Sequence, residues 1–226
     1  FIFFVLIIQF SGGVYLAAAS DMVGTKAVMQ EDILMAGYAS LIGMAINFAM
    51  MFRIKFRFST RNQLLVSGMV LIAANVICAY TASVPLLVGT CFVAGWFRMQ
   101  ATFACNSTIQ LWLTPVRDMA IFFCYVYIIV DSVIQLSGIA TIYTAFFSQW
   151  EYMHWIMTGM LALMMLMVMI LVKPVRGPMF IPLLGIDWIG AVLWAIFMLC
   201  FAFVCVYGSF YDWWDAAEVC EATLIG

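Results

Sequence analysis

The sequence predicts an all-α polytopic membrane protein, and three observations support this fold class. Of the 226 residues, 67% are hydrophobic and only 9% are charged, whereas soluble domains carry ~25% charged residues. The mean hydropathy is +1.13, and the basic residues fall almost entirely in alternate loops between the apolar runs. A soluble fold of this composition would leave large apolar patches in water, so we expect the lipid bilayer to surround the chain.

Seven apolar segments approach or exceed the length of ~20 residues with which a helix crosses a bilayer. Backbone groups in lipid must find their hydrogen bonds within the segment, and the runs do not alternate as barrel strands do, so each is predicted to be a helix. The predicted spans are 1–19, 33–52, 63–80, 84–112, 119–147, 152–172 and 183–208.

These spans divide the chain into four predicted regions. We expect a six-helix amino-terminal bundle over residues 1–172, a basic cytoplasmic linker over 173–182, a seventh transmembrane helix over 183–208 and an acidic, aromatic extracytoplasmic segment over 209–226 that leads toward an eighth span. The chain begins inside an apolar run without Met. We therefore expect a piece of a longer protein whose carboxy-terminal half is missing.

The distribution of lysine and arginine predicts the orientation in the membrane. Seven of the nine basic residues lie in the second, fourth and sixth loops, and the odd loops hold only Lys26. Cytoplasmic loops carry the excess of basic residues. The prediction is a multi-pass protein of the cell (inner) membrane with a cytoplasmic amino terminus.

Several function classes find no support in the sequence. There is no HExxH metal motif, nucleophile elbow or glycine-rich phosphate loop, which argues against an enzyme and against a cofactor. The single histidine and the seven cysteines show no metal-ligand spacing, so no metal site is expected. The net charge of −2 indicates no nucleic-acid partner.

Two ionisable residues lie near the middle of predicted spans and are candidates for function. Arg98 lies midway along the fourth span and Asp131 midway along the fifth, where a charge costs ~2.5–3.5 kcal/mol on insertion. Either they form an ion- or substrate-coupling pair in a transport path, or they form a structural salt bridge. Polar residues at helical spacing, together with one in the first span, are candidate cavity-lining residues: Gln9, Thr102, Asn106 and Gln135.

Other features keep two interpretations open or favour a structural one. The basic residues Arg53, Lys55, Arg57 and Arg61 form either a gating loop or a topology signal. Ala39 and Gly43 have the small-xxx-small spacing that permits close helix packing. His154 beside Trp155 is interpreted as an interfacial anchor.

Four stretches together resemble a known transporter family. They are the basic loop Phe52–Arg61, the segment Phe97-Arg98-Met-Gln-Ala101 in the fourth span, the aromatic segment Ser148–Trp155, and Gly185-Ile-Asp-Trp-Ile-Gly190 before the seventh span. The pattern resembles the fourteen-helix drug:proton antiporter branch of the major facilitator superfamily, often called EmrB/QacA-like. The aromatic segment resembles that family's W-r-w-x-F stretch between the fifth and sixth spans, and the last segment resembles its D-w-x-G opening of the seventh span.

The resemblance implies a secondary active transporter that works by alternating access. It implies proton-coupled efflux of small amphiphilic compounds, with Arg98 in the position of the family's proton-coupling arginine. The first span lacks the acidic residue that the family often carries there, so Asp131 is our hypothesis for the proton carrier. The alternatives are an intramembrane enzyme and a non-transporting membrane sensor or assembly protein.

Overall fold

The computed structural model describes residues 1–12, 14–17, 19–26, 28–113, 119–174 and 185–226, and every regular element in these ranges is helical. The helices are α1 (Ile2–Phe10), α2 (Val14–Ala17), α3 (Ala19–Lys26), α4 (Gln30–Arg57), α5 (Thr60–Tyr80), α6 (Val84–Leu113), α7 (Met119–Val126), α8 (Ser132–Phe147), α9 (Glu151–Leu171), α10 (Trp188–Tyr207) and α11 (Ala217–Ile225). A π-helical segment, Tyr127–Asp131, joins α7 to α8.

Six helical stretches in the described ranges are long and apolar enough to cross a membrane. They are Gln30–Arg57, Thr60–Tyr80, Val84–Leu111, Met119–Phe147, Glu151–Leu171 and Trp188–Tyr207. The all-α class is confirmed, and the lengths fit a membrane-embedded protein. The last stretch begins at Trp188 rather than at residue 183. Residues 175–184, which contain most of the predicted linker and Arg176, and residues 114–118, which contain Arg117, lie outside the described residues.

The first predicted span is interrupted, so the prediction of one helix over residues 1–19 is wrong. Helix α1 ends at Phe10, where the Ser11 hydroxyl donates to the carbonyl oxygen of Ile8 at 2.7 Å and the Gly12 N–H donates to that of Gln9 at 3.0 Å. Serine and glycine are weak helix formers. These bonds close a turn at the end of α1, and the chain continues as the shorter helices α2 and α3.

Helices α4 and α6 approach each other until their backbones touch. A Cβ atom on Gly43 would overlap the carbonyl oxygen of Phe92, and one on Gly95 would overlap that of Ser40. Such close contact needs small residues on both helices. The predicted packing role of Gly43 is confirmed, and Ala39 one turn earlier is fully buried. Gly95 supplies the matching position on α6, which the sequence analysis did not identify.

Two apolar clusters occupy opposite ends of the bundle. One joins the start of α1, the start of α5 and the ends of α6 and α9, and the other joins α2, α3, the start of α4 and the start of α9. Helix α10 packs outside them, against a stripe of α4. Polar residues collect between the two clusters, at the level where α1 ends.

The segment after α10 turns back along that helix. Asp212 and Trp213 adopt left-handed backbone angles, with φ of 54° and 58°, and α11 follows after the short 3-10 turn Trp213–Asp215. Gly226 ends beside Cys200 of α10, to which a Cβ atom would approach within 3.0 Å. The direction of α11 fits a chain that returns toward the membrane, and an eighth span remains a prediction.

Candidate functional site

Arg98 lies in the interior of the bundle, at the break in the first predicted span. It is the midpoint of α6, and only 5% of its surface is exposed. Its guanidinium lies against Gly12, where a Cβ atom would be 2.7 Å from Nη1. Its Nη2 donates to the Met44 sulfur at 2.7 Å. The Nε atom is buried and has no hydrogen-bond partner.

A small cavity of about 40 Å³ lies beside this guanidinium. The break after α1, the middle of α4, helices α5 and α6 and the start of α9 all contribute to its wall. Its polar lining consists of Ser11, Tyr15, Ser40, Asn75, Arg98 and His154, with Cys78 and Cys91 beside them. Among the described residues, no carboxylate lines it, and Arg98 has no recorded partner other than Met44.

His154 connects three helices across this cavity. Its Nδ1 lies 3.1 Å from Asn75 Oδ1, and its Nε2 lies 3.4 Å from the Tyr15 hydroxyl. The Asn75 amide nitrogen donates to the carbonyl oxygen of Leu71 at 2.9 Å, which fixes Oδ1 as the atom facing the ring. An acceptor at Nδ1 assigns the neutral ring its proton there and leaves Nε2 to accept from tyrosine.

The interpretation of His154 as an interfacial anchor is wrong. Only 2% of its surface is exposed, and its ring packs edge-on against Trp150 at 5.7 Å between centroids. It belongs to the buried stripe of α9 that continues through Met157 and Leu161. Together with Tyr15 and Asn75, it is a site residue that the sequence analysis missed.

Two of the four candidate cavity-lining residues meet, one turn away from the cavity itself. Gln9 at the end of α1 donates its amide to the Thr102 hydroxyl at 2.8 Å, and Thr102 donates to the Arg98 carbonyl oxygen at 2.8 Å. Both side chains are buried. Asn106 is half-buried, and Gln135 is exposed on α8. None of the four is among the described residues that line the cavity.

Asp131 and Arg98 are not brought together. Asp131 ends the π-helical segment and is exposed, and it is not among the described residues of the cavity wall. Helix α1 packs against α6 and also against the π-helical segment and α8. Arg98 lines the cavity and Asp131 does not, and the transport roles of both residues remain predictions.

The basic loop between α4 and α5 is tied to the rest of the bundle. Lys55 Nζ donates to the Thr60 hydroxyl at 2.7 Å and to the Ala104 carbonyl oxygen of α6 at 3.0 Å. Arg61 Nη2 donates to the Met169 carbonyl oxygen at 3.1 Å, near the end of α9. Basic side chains stabilise helix carboxyl ends in this way. Arg53 lies against Gly185 and Arg57 lies 6.0 Å from the Phe58 ring.

Two buried glutamines organise the same loop. The Gln63 amide nitrogen lies within hydrogen-bond distance of the carbonyl oxygens of Ile54, Lys55 and Phe58, at 3.3, 3.1 and 2.6 Å. Gln100 of α6 donates to Gln63 Oε1 at 2.9 Å. Gln100 thus links the loop to α6, the helix that also carries Arg98, two residues before Gln100.

The comparisons with known proteins leave the family open. No protein-family model matches the chain, and no curated protein matches it either. The described residues hold no group of three His, Cys, Asp or Glu side chains arranged to bind a metal ion. The Arg98 cavity is therefore the candidate functional site.

Proposed function

We propose that this chain is part of a secondary transporter that moves small amphiphilic compounds across the cell (inner) membrane by alternating access, with protons as the coupling ion. The observation that carries the proposal is a buried guanidinium beside a break in the first predicted span. Ionisable side chains at membrane depth mark substrate and ion pathways. Discontinuous helices at mid-depth are the usual site of substrate and ion binding in transporters.

The resemblance to the major facilitator superfamily supports the same proposal. It assigns the amino-terminal six spans to one rocking half, with a cytoplasmic amino terminus and a second half as its partner in transport. Arg98 falls at the family's arginine position in the fourth span, and it is the buried charge of the cavity.

The geometry favours His154 over Asp131 as the group that carries the proton. Imidazole gains and loses a proton near neutral pH more readily than other side chains. The titratable groups that face the cavity with His154 are Tyr15 from α2, Cys78 from α5, and Cys91 and Arg98 from α6. Asp131 is exposed outside this wall.

Inside-out vesicles containing the full-length protein test this function. With an acidified lumen, we expect accumulation of a fluorescent amphiphile that collapses when the pH gradient is dissipated. Arg98→Gln should reduce accumulation to the level of empty vesicles. His154→Gln should leave slow equilibration of the amphiphile without accumulation, whatever the pH gradient. Lys173→Gln, which removes an exposed positive charge, should behave as wild type.

Other outcomes separate the remaining possibilities. Gradient-dependent accumulation that is unchanged in Arg98→Gln would remove Arg98 from the pathway. Loss of coupling in Asp131→Asn with normal coupling in His154→Gln would return the proton-carrying role to Asp131. Saturable binding of the amphiphile without accumulation by the wild-type protein would favour a membrane sensor.

A further inference from the structure

The Arg98 cavity contains a positive charge for which the described residues supply no negative partner. Only 5% of the surface of Arg98 is exposed. Within the described part of the chain, the one acceptor of its guanidinium is the thioether sulfur of Met44. Thioether sulfur is a weak acceptor. Leaving a charge buried and unpaired is strongly unfavourable, whereas a hydrogen-bonded partner of opposite charge offsets much of the cost.

The nearby backbone supplies only part of that compensation. Gly12 follows the carboxyl end of α1, and the carbonyl ends of a helix carry about half a negative charge. Two of those carbonyl groups, of Ile8 and Gln9, already accept bonds from Ser11 and Gly12. The helix end therefore favours the cation at this place without satisfying its N–H groups.

We propose that this cavity binds the carboxylate group of an anionic amphiphile, with Arg98 as the residue that holds it. The proposal names the class of compound that this site binds. It rests on the proposed function only in that the bound compound is then a transport substrate. Arg98 lines the cavity, and its Nη2 has only a weak acceptor. The paired N–H groups of a guanidinium match the two oxygens of a carboxylate and form charge-assisted hydrogen bonds with them.

The size of the cavity agrees with a head group rather than a whole molecule. A volume of ~10–15 Å³ is enough for one water molecule, and drug-sized ligands occupy ~300–1,000 Å³. At about 40 Å³, the cavity admits a group of a few heavy atoms. The apolar part of an amphiphile must then remain outside it.

The charge of the cavity selects a carboxylate over phosphate. A single guanidinium neutralises one negative charge, whereas a phosphate ester at neutral pH carries close to two. The remaining polar wall, which includes the hydroxyl groups of Ser40 and Tyr15, donates hydrogen bonds without adding charge. A monoanion therefore leaves the cavity neutral.

Binding to the purified full-length protein in lipid nanodiscs tests the proposal. Benzoate and benzamide have nearly the same shape and differ in charge. We expect saturable binding of benzoate by titration calorimetry and at least tenfold weaker binding of benzamide. Acetate should compete with benzoate, whereas chloride and inorganic phosphate at equal ionic strength should not.

Two variants connect the binding to this cavity. Arg98→Gln should weaken benzoate binding ~10–100-fold, as expected for loss of a charge-assisted pair. Gly12→Ala retains the charge and places a methyl group 2.7 Å from Nη1, so it should weaken binding by shifting the guanidinium. Gly159→Ala on α9 is the matched control because nothing lies within 4 Å of its added Cβ atom. It should bind benzoate as wild type does.

Each outcome bears on one proposal. Equal binding of benzoate and benzamide, competition by chloride or phosphate as effective as that by acetate, or normal benzoate binding in both Arg98→Gln and Gly12→Ala would overturn the carboxylate site. Proton-coupled accumulation of neutral or cationic amphiphiles without benzoate binding would overturn it and leave the transporter proposal intact. Arg98-dependent benzoate binding without any transport would support the site and reject the transporter.

Discussion

The Arg98 guanidinium lies against Gly12, at the point where the first predicted span is broken. The interruption removes side-chain bulk from the first span at the level where α6 presents its charge. A continuous helix with a larger residue at position 12 would occupy the space that Nη1 now fills. The break and the buried charge are therefore two parts of one arrangement.

Gly95→Ala should destabilise the bundle because its added methyl group would overlap the carbonyl oxygen of Ser40. The overlap is with backbone, which cannot move aside as a side chain can, and overpacking of this kind costs ~1–3 kcal/mol. Gly89→Ala on the same helix is the control, since its added methyl group meets nothing within 4 Å. The measurement is the free energy of unfolding in detergent for each variant. Equal values for the two would contradict backbone contact between α4 and α6.

The hydrogen bond between His154 and Asn75 should appear as an energetic coupling. Either His154→Phe or Asn75→Leu leaves a buried polar partner unsatisfied, at a cost of ~1–3 kcal/mol. The double variant should be less destabilised than the sum of the single variants by ~0.5–3 kcal/mol. A second cycle of His154→Phe with Asn62→Ala, an exposed residue of α5, should show no coupling. Additivity in the first cycle would show that the two side chains do not interact.

Asp187→Ala should loosen the start of α10. The Asp187 carboxylate accepts a hydrogen bond from the Gly190 N–H at 2.8 Å, and loss of such a cap costs ~0.5–2 kcal/mol. Faster amide exchange should be confined to the first turn of α10. Asp215→Ala, which removes an acidic residue outside the helix, is the comparison. Unchanged exchange at residues 188–191 would argue against the cap.

Tyr207→Phe should weaken the attachment of α10 to α4. The Tyr207 hydroxyl donates to the Asp32 carboxylate, which also accepts from the Met29 N–H at 3.0 Å. Because this pair is partly exposed to solvent, we expect a loss of ~1 kcal/mol rather than the full value for a charged hydrogen bond. Tyr211→Phe, which removes a hydroxyl group nearby, should leave the unfolding free energy unchanged. A Tyr207→Phe protein as stable as wild type would show that this contact contributes nothing.

The start of α10 explains why Asp187 and Gly190 occur together in the D-w-x-G segment. The D-w-x-G segment that led to the comparison with fourteen-helix transporters is formed by Asp187 as the N-cap and Gly190 as the donor. A Cβ atom at position 190 would overlap the capping carboxylate. Both matched residues thus have a local role at the start of the helix, whatever the number of helices that follow.

The spans were predictable because their signal is composition. Length and hydropathy identified the six long helices, and the cost of a charge in lipid identified Arg98 as a buried site residue. The break after α1 had a visible signal in Ser11 and Gly12. Both are weak helix formers, and their hydrogen bonds to Ile8 and Gln9 end the helix.

The rest of the site could not be predicted because these helices are apolar on every side. Periodicity separates buried from exposed faces only where polar residues mark one of them, and α9 gives no such contrast around His154. Asp131 illustrates the second limit. Its span follows that of Arg98 in the chain, yet Asp131 is exposed whereas Arg98 is buried. Chain order alone does not specify which helices touch.

The paired glycine contacts of α4 and α6 restrict how this bundle can rearrange. Gly43 and Gly95 each place the neighbouring backbone where a side chain would otherwise stand, so sliding one helix along the other would bring a side chain into each gap. The two helices must consequently travel as one rigid body, carrying Arg98 with them.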